Sequence, residues 1–506
     1  MERFVVRTQE NIEQFGYRQE LRRGVGLTDL VFYGLVFMVP IAPFVIFGLV
    51  FSTSAGMPVL AYLVGMIALL FTAASYAQMV KAFPLSGSVY NYAGRGISAP
   101  VGFLTGWMIL LDYILVPSLL YLAAAIAMNK SVPQVPVWVW LLIFVLVNTV
   151  INLRGIRMTV KLTRVMILLQ LVVLALFLAI GVWALLQGKG RGFSLSPLFN
   201  LETFSWPVVF AAVSVAILSF LGFDGISMLV EESTGGSAQV GRAMRLALIL
   251  AGVLFIAQVW VAALLVPDPA GVIAGNTETA FYDAAAVAGG EWLGHLTSVA
   301  TALSWGLANT LVAQVAVSRL LYAMARDRQL PSFLAKVSVR HSVPGNAILL
   351  ISTLSVGLGI WMSTRGDGVD LLTSLINMGA MVAFIVLHVS VIVHYSLRND
   401  SGKWWSHLIA PLIGIGILVF VVINANVLAQ ITGLVWLLVG VLVLAFLYAI
   451  GRRPAVSGLP ANLKNTDLKN TDLKHTGRTQ SGPGQADSKH VDPKHVDPKH
   501  ADAPRR

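Results

Sequence analysis

Twelve stretches of mostly apolar residues, each long enough to cross a bilayer, fill this chain from residue 26 to residue 450. They lie near 26–53, 57–81, 99–127, 136–153, 158–187, 207–230, 243–266, 292–322, 345–363, 370–396, 407–425 and 429–450. A helical span needs roughly 20 predominantly apolar residues. Hydrophobic residues make up 57% of the chain and charged residues 12%, against about 45–50% and about 25% in ordinary soluble domains. The expectation is an all-α integral membrane protein with twelve transmembrane helices and no room for a sizeable soluble domain. A polar stretch with acidic residues and no small-residue cleavage site precedes the first apolar segment, which therefore reads as a retained span.

The basic residues orient the chain. With the N-terminus inside, 31 of the 35 Lys and Arg fall on the cytoplasmic side, and only Lys130, Lys189, Arg191 and Arg365 fall outside. Reversing the topology would reverse the positive-inside bias. A multi-pass protein of the plasma (inner) membrane, with both termini cytoplasmic, is expected. The net charge of +11 then reads as a topology signal, and no nucleic-acid partner is expected. Cys is absent, which excludes disulfides and thiolate metal sites.

Residues 1–25 read as a cytoplasmic N-terminal segment and 451–506 as a disordered, low-complexity cytoplasmic tail, with 26–450 between them as the twelve-helix membrane body. The pentads DLKNT and KHVDP recur in the tail with almost no apolar content, so it cannot bury enough surface to fold. His490, His495 and His500 are regularly spaced, but nothing fixes a coordination geometry, and no metal site is expected.

Two kinds of irregularity stand out within the spans. Asp112 and Asp224 are single carboxylates near the middle of apolar segments. A charge at that depth costs at least ~2.5–3.5 kcal/mol on insertion scales, so it faces the bundle interior, where it serves either packing or function. The first and sixth spans are also interrupted. YGLVFMVPIAPFVIFG places Pro40 and Pro43 mid-membrane, where each removes a helical donor. SFLGFDG places Gly222 and Gly225 around Asp224. Interrupted segments at matching positions of two halves point to a transporter's binding site.

Five segments carry a resemblance to a known family. FPLSGSVYNYAGRGI (83–97) resembles the Pro-x-Ala-Gly-Ser-x-Tyr-x-Tyr signature that follows the second span in the amino acid–polyamine–organocation superfamily of secondary transporters. SFLGFDGISMLVEES (219–233) resembles its sixth-span signature ending in paired acids, here Glu231 and Glu232, and SRLLYAMARDRQLP (318–331) the end of its eighth span. GWMILLDYILVP (106–117) and LINMGAMVAFIVLHVSV (375–391) resemble the putrescine-importer branch. The resemblance implies a five-plus-five inverted repeat of the leucine-transporter type (about 26–187 and 207–396), discontinuous helices 1 and 6, and two further helices at about 407–450. It implies alternating access driven by an ion gradient, as in a symporter.

Transferred residue by residue, the resemblance places substrate at Val39, Pro40, Ile41 and Ala42 in the first break, at Ser219, Phe220, Gly222 and Asp224 in the sixth span, and at Asp112 and Tyr113 on the third. Leu218 or Phe220 is the candidate gate, with core packing the other role open to each. Asp29 is expected to complement the dipole at the start of the first helix. Glu231 and Glu232 are expected at the cytoplasmic end, in a network with Arg242 or Arg319.

Departures from the family pattern bear on the substrate. Amino-acid carriers of this type hold the substrate carboxylate with backbone N–H groups at a glycine-rich break. Here the break reads VPIAP, with no glycine and two residues lacking an N–H. The two aspartates could instead neutralise a cation, which favours an amine or diamine over a zwitterion. Asp112 or Asp224 is also the candidate carrier of a coupling proton, because burial raises a carboxyl's pKa. The fifth-span Lys that replaces a sodium in some proton-coupled members is Gln170 here, so that device is absent and sodium coupling stays open.

Other classes fare less well. No GxSxG, HExxH or nucleotide-binding glycine loop followed by Lys occurs, and His388 and His394 have no evident partner, so no enzyme and no cofactor are expected. A channel would be built from rings of like residues in repeated subunits. A neutral amino-acid permease or exchanger, or a transporter-like amine sensor, are the alternatives to a polyamine importer. Nothing in the pattern specifies an oligomer.

Overall fold

In the computed structural model, residues 23–451 are described, apart from 86–87, 155, 327–329 and 339–342. The repetitive tail with its three histidines and nearly all of the N-terminal segment lie outside the described residues. Within them the regular structure is all helical, joined by turns and loops, with a single isolated bridge between Val25 and Ser233 and no strand.

Among the described residues, eleven helices are long and apolar enough to cross a membrane, and a bent pair makes a twelfth span. The first span consists of Leu27–Met38 and Pro43–Thr53, inclined to each other by 61°. The others are Pro58–Ala82, Ala99–Ser131, Val137–Arg154, Ile156–Leu186, Trp206–Leu229, Gly236–Leu265, Glu291–Tyr322, Gly345–Ser363, Gly368–Arg398, Trp405–Asn424 and Val427–Ala449. Each expected span is therefore present, with ends shifted by a few residues. Large apolar side chains lie exposed on the outer helix faces, among them Leu168, Val253, Leu434 and Phe446. In water such a surface would aggregate; against lipid it is the required solvent-facing side.

The interior is held by side-chain bonds between helices that are far apart in sequence. Trp107 on the third span and Trp436 on the twelfth stack at 4.8 Å, and each indole N–H donates to the other's backbone carbonyl at 2.8 Å. The Tyr62 hydroxyl on the second span is paired with Ser219 Oγ on the sixth at 2.9 Å. His388 on the tenth span lies wholly inside, its Nδ1 2.7 Å from Ser75 Oγ and its Nε2 3.3 Å from Thr72 Oγ1. The absence of a partner for His388, expected from sequence, is thus corrected. Its partners sit more than 300 positions earlier, on the second span. His394 also has neighbours, the Phe83 ring at 4.9 Å and Asn399.

The imidazole of His388 occupies the space over Gly414, where an added Cβ would stand 2.3 Å from Cε1. Gly414→Ala is expected to cost about 1–3 kcal/mol through overpacking. A thermal melt in detergent lowered by several degrees is the result that checks this, and an unchanged melt would refute the packing account.

Asp29 accepts a hydrogen bond from the Gly26 amide at 2.9 Å, in the first turn of the first helix. Gly24 and Val25 both donate to the carbonyl of Glu232, which ties the start of the first span to the end of the sixth. The side chain of Arg319, an expected partner of the paired acids, lies outside the described residues.

Candidate functional site

The first span breaks because its sequence cannot continue as a helix. Pro40 and Pro43 bring no N–H, and Val39 takes φ 56°, a left-handed conformation that is strained for a β-branched residue. The Val39 amide donates to Leu35, and the Ala42 amide donates to Val39 at 2.8 Å. The Pro40 carbonyl accepts from Gln258 Nε2 at 3.0 Å. Among the described residues, the Ile41 amide is the one N–H of the break with no partner. The glycine-rich carboxylate cradle is missing in fact as well as in sequence.

The sixth span loosens at the same level. It is α-helical over Trp206–Ala216, tightens to 3₁₀ turns over Ile217–Phe220, extends at Leu221, and turns through Gly222 at φ 109° into Phe223–Leu229. Glycine is required at 222, because a Cβ there would stand 2.1 Å from Phe37 Cδ1 of the first span. The two irregular segments pack directly on each other: a Cβ on Gly34 would likewise meet Ile226 at 2.5 Å.

Between them lies a cavity of about 70 Å³. Asp112 and Tyr113 of the third span and Gly222 and Asp224 of the sixth line it, with Val39, Ala42 and Leu218. Both carboxylates therefore face one space, and no Lys, Arg or His is among its described lining residues. Asp224 is 6% exposed, and its carboxylate lies beside the backbone amides of Gly222 and Gly225. The hydroxyls of Tyr76 and Tyr92 are buried nearby, Tyr76 beside Asp224 and Tyr92 beside Ser227. Pro117 interrupts the third helix four residues after Tyr113, so the Tyr113 carbonyl has no helical donor. An acceptor and a carboxylate thus sit on adjacent residues of the cavity wall.

Four residues placed at the site from sequence do not line this cavity. Pro40 is turned toward Gln258, and Ile41 is fully buried in the core. Ser219 is engaged with Tyr62, and Phe220 packs between Tyr62 at 6.0 Å and Phe255 at 5.1 Å. Of the two gate candidates, Leu218 borders the cavity and Phe220 belongs to the core. Gln170 is 2% exposed, away from the cavity, and its Oε1 has no partner.

Sequence reading missed the wall contributed by the eighth span. Trp305 and Asn309 border the cavity from a π-helical stretch, Ser304–Asn309, and the Trp305 indole N–H has no partner. A polar Asn within SWGLANTLVAQ was the available signal. A second cavity of about 40 Å³ lies further along the first and third spans. Val45 and Leu49 line it one and two turns beyond Ala42, as do Ala123 and Ile126 beyond Leu119, with Glu278 and Asp370 as its acids. Burial pushes the Glu278 carboxyl above the usual carboxylate range.

Residues 30–451 match the family model described as amino acid permease. The chain is 32% identical over 449 residues to the low-affinity putrescine importer PlaP of Escherichia coli (strain K12), covering 86% of this chain and 96% of that protein. It is 27% identical over 467 residues to the methylthioribose transporter of Bacillus subtilis (strain 168), covering 85% and 94%. With the branched-chain amino acid permease BcaP of the same organism it shares 24% over 455 residues, again covering 85% and 94%.

Proposed function

Since the chain belongs to the amino acid permease family of the amino acid–polyamine–organocation superfamily, a family of membrane transporters, we propose that it imports a small amine, a putrescine-like cation above all, by proton-coupled alternating access. The observation that carries this reading is the shared cavity of Asp112 and Asp224. Two carboxylates in an apolar enclosure repel each other unless a cation or a proton lies between them. A diamine brings an ammonium for each. The Tyr113 carbonyl adds an acceptor, and Tyr113 and Trp305 bring aromatic side chains, which attract cations, to the cavity lining. A zwitterion would set its carboxylate beside two acids, with Ile41 offering the only spare amide of the break among the described residues.

The second cavity supports the same sign of substrate, because Glu278 and Asp370 extend the negative potential along the first and third spans. In the proposed cycle Asp112 or Asp224 takes up the coupling proton when the cation leaves, with sodium as the alternative ion. The two breaks belong to the two halves of an inverted repeat, about 26–187 and 207–396, and both termini face the cytoplasm of a cell bounded by this plasma membrane.

One observation favours an amino acid instead: the unpartnered Trp305 indole N–H in the cavity wall would suit a substrate carboxylate. Competition separates the readings. In proteoliposomes with an inside-alkaline gradient, labelled putrescine is expected to accumulate, unlabelled cadaverine to suppress it, and leucine to leave it unchanged. Leucine competing as well as cadaverine would overturn the diamine reading, and binding without accumulation would identify a sensor.

A further inference from the structure

A much larger cavity lies apart from this site. It is a groove of about 650 Å³ on the flank of the bundle, between Leu178, Val182 and Leu185 of the fifth span and Trp260, Val261 and Leu264 of the seventh. The connecting loop closes one end of it with Phe193 and Leu195, and the Trp260 indole N–H fastens that loop through the Ser194 carbonyl at 3.2 Å. A hydrocarbon-walled space of this kind excludes water. It lies on the lipid-facing side, where Leu168 and Val172 of the fifth span and Val253 of the seventh are exposed.

Two cations stand at the loop end of the groove. Arg191 Nη2 donates to the Ala263 carbonyl, and the Arg191 amide donates to Leu264 at 2.9 Å. Lys189 Nζ donates to the Ala288 carbonyl at 3.2 Å. At the same end of the bundle, Lys130 is paired with Asp283 at 2.8 Å and Arg365 with Asp367 at 2.7 Å. Lys189 and Arg191 have no carboxylate partner among the described residues. Their positions at the ends of Gly236–Leu265 and Ala280–Gly289 favour cations, but a helix C-terminus supplies only about half a negative charge. Two helix ends against two cations leave roughly one positive charge uncompensated, beside a slot that only hydrocarbon can fill.

We propose that this groove binds one anionic phospholipid, with an acyl chain between the fifth and seventh spans and its phosphate held by Lys189 and Arg191. Lys189 spends one contact on a helix end, and the Arg191 guanidinium lies 5.9 Å over the Phe51 ring besides its bond to Ala263, which leaves the remaining ammonium and guanidinium donors for phosphate oxygens. The net charge of a phosphatidylglycerol headgroup matches the uncompensated charge.

The test is native mass spectrometry of the full chain released from vesicles of equal phosphatidylglycerol and phosphatidylcholine. Wild-type protein is expected to retain phosphatidylglycerol in preference. The K189Q/R191Q double variant is expected to lose that preference by roughly 10- to 30-fold, since each basic residue near the headgroups contributes about 1 kcal/mol. Ala257→Trp, which fills the groove floor, is expected to reduce retention of both lipids. Equal retention of the two lipids by wild type, or an undiminished preference in the double variant, would overturn the proposal. Should the double variant fail to fold, added salt decides the headgroup half: wild-type preference must fall as salt rises, and a salt-independent preference refutes it.

Discussion

Asp112→Asn is expected to abolish diamine uptake while leaving the protein folded. The amide keeps the shape of the side chain and removes its charge from a cavity that contains no cationic side chain among its described lining. Loss of one partner from a buried charge pair costs about 2–5 kcal/mol, or roughly 30- to 4000-fold in affinity. Initial rates in proteoliposomes, at matched protein content and with a control thermal melt, measure the effect. Wild-type uptake by the variant would refute the cation-binding role of Asp112. A carrier of neutral amino acids would show a much milder loss, so the variant also separates the two substrate classes.

Gly222→Ala carries the second large effect. The residue sits at φ 109°, and an added methyl would stand 2.1 Å from Phe37 Cδ1 and 3.1 Å from the Phe37 backbone carbon. Backbone strain alone costs about 1–3 kcal/mol, and the contact must also push Phe37, which lines the cavity. At least a roughly ten-fold loss of transport, with a lowered melt, is expected. Gly225→Ala supplies the comparison, because its methyl would meet nothing closer than 3.7 Å. Equal behaviour of the two variants would show that the turn at 222 is not what shapes the site.

The spans were legible in the sequence because bilayer crossing is a length-and-hydropathy requirement that each segment meets by itself. The break at 39–42 was legible too, since two prolines cannot donate wherever the rest of the chain lies. Which side chains face the cavity was harder to read. Inside an interrupted helix, the rotation of each residue is set by partners distant in sequence. Ser219 is drawn away by Tyr62, and the Pro40 carbonyl points to Gln258, 218 positions further on. Asp112 and Asp224 could be placed because a charge at that depth has few alternatives. Trp305 was passed over because an aromatic residue in an apolar span ordinarily signifies packing. Its position on the wall depends on the π-helical stretch, for which the sequence carries no comparable signal.

The mutual clasp of Trp107 and Trp436 has a practical bearing on how the protein can be cut. Trp107 lies one helical turn or so before Asp112, so the final helix is fastened to the very helix that presents the acid. Truncation before Val427 would strand the Trp107 indole donor in hydrocarbon and free the acid-bearing segment to rotate. Affinity tags and reporter fusions therefore belong beyond residue 451, where they leave that clasp intact.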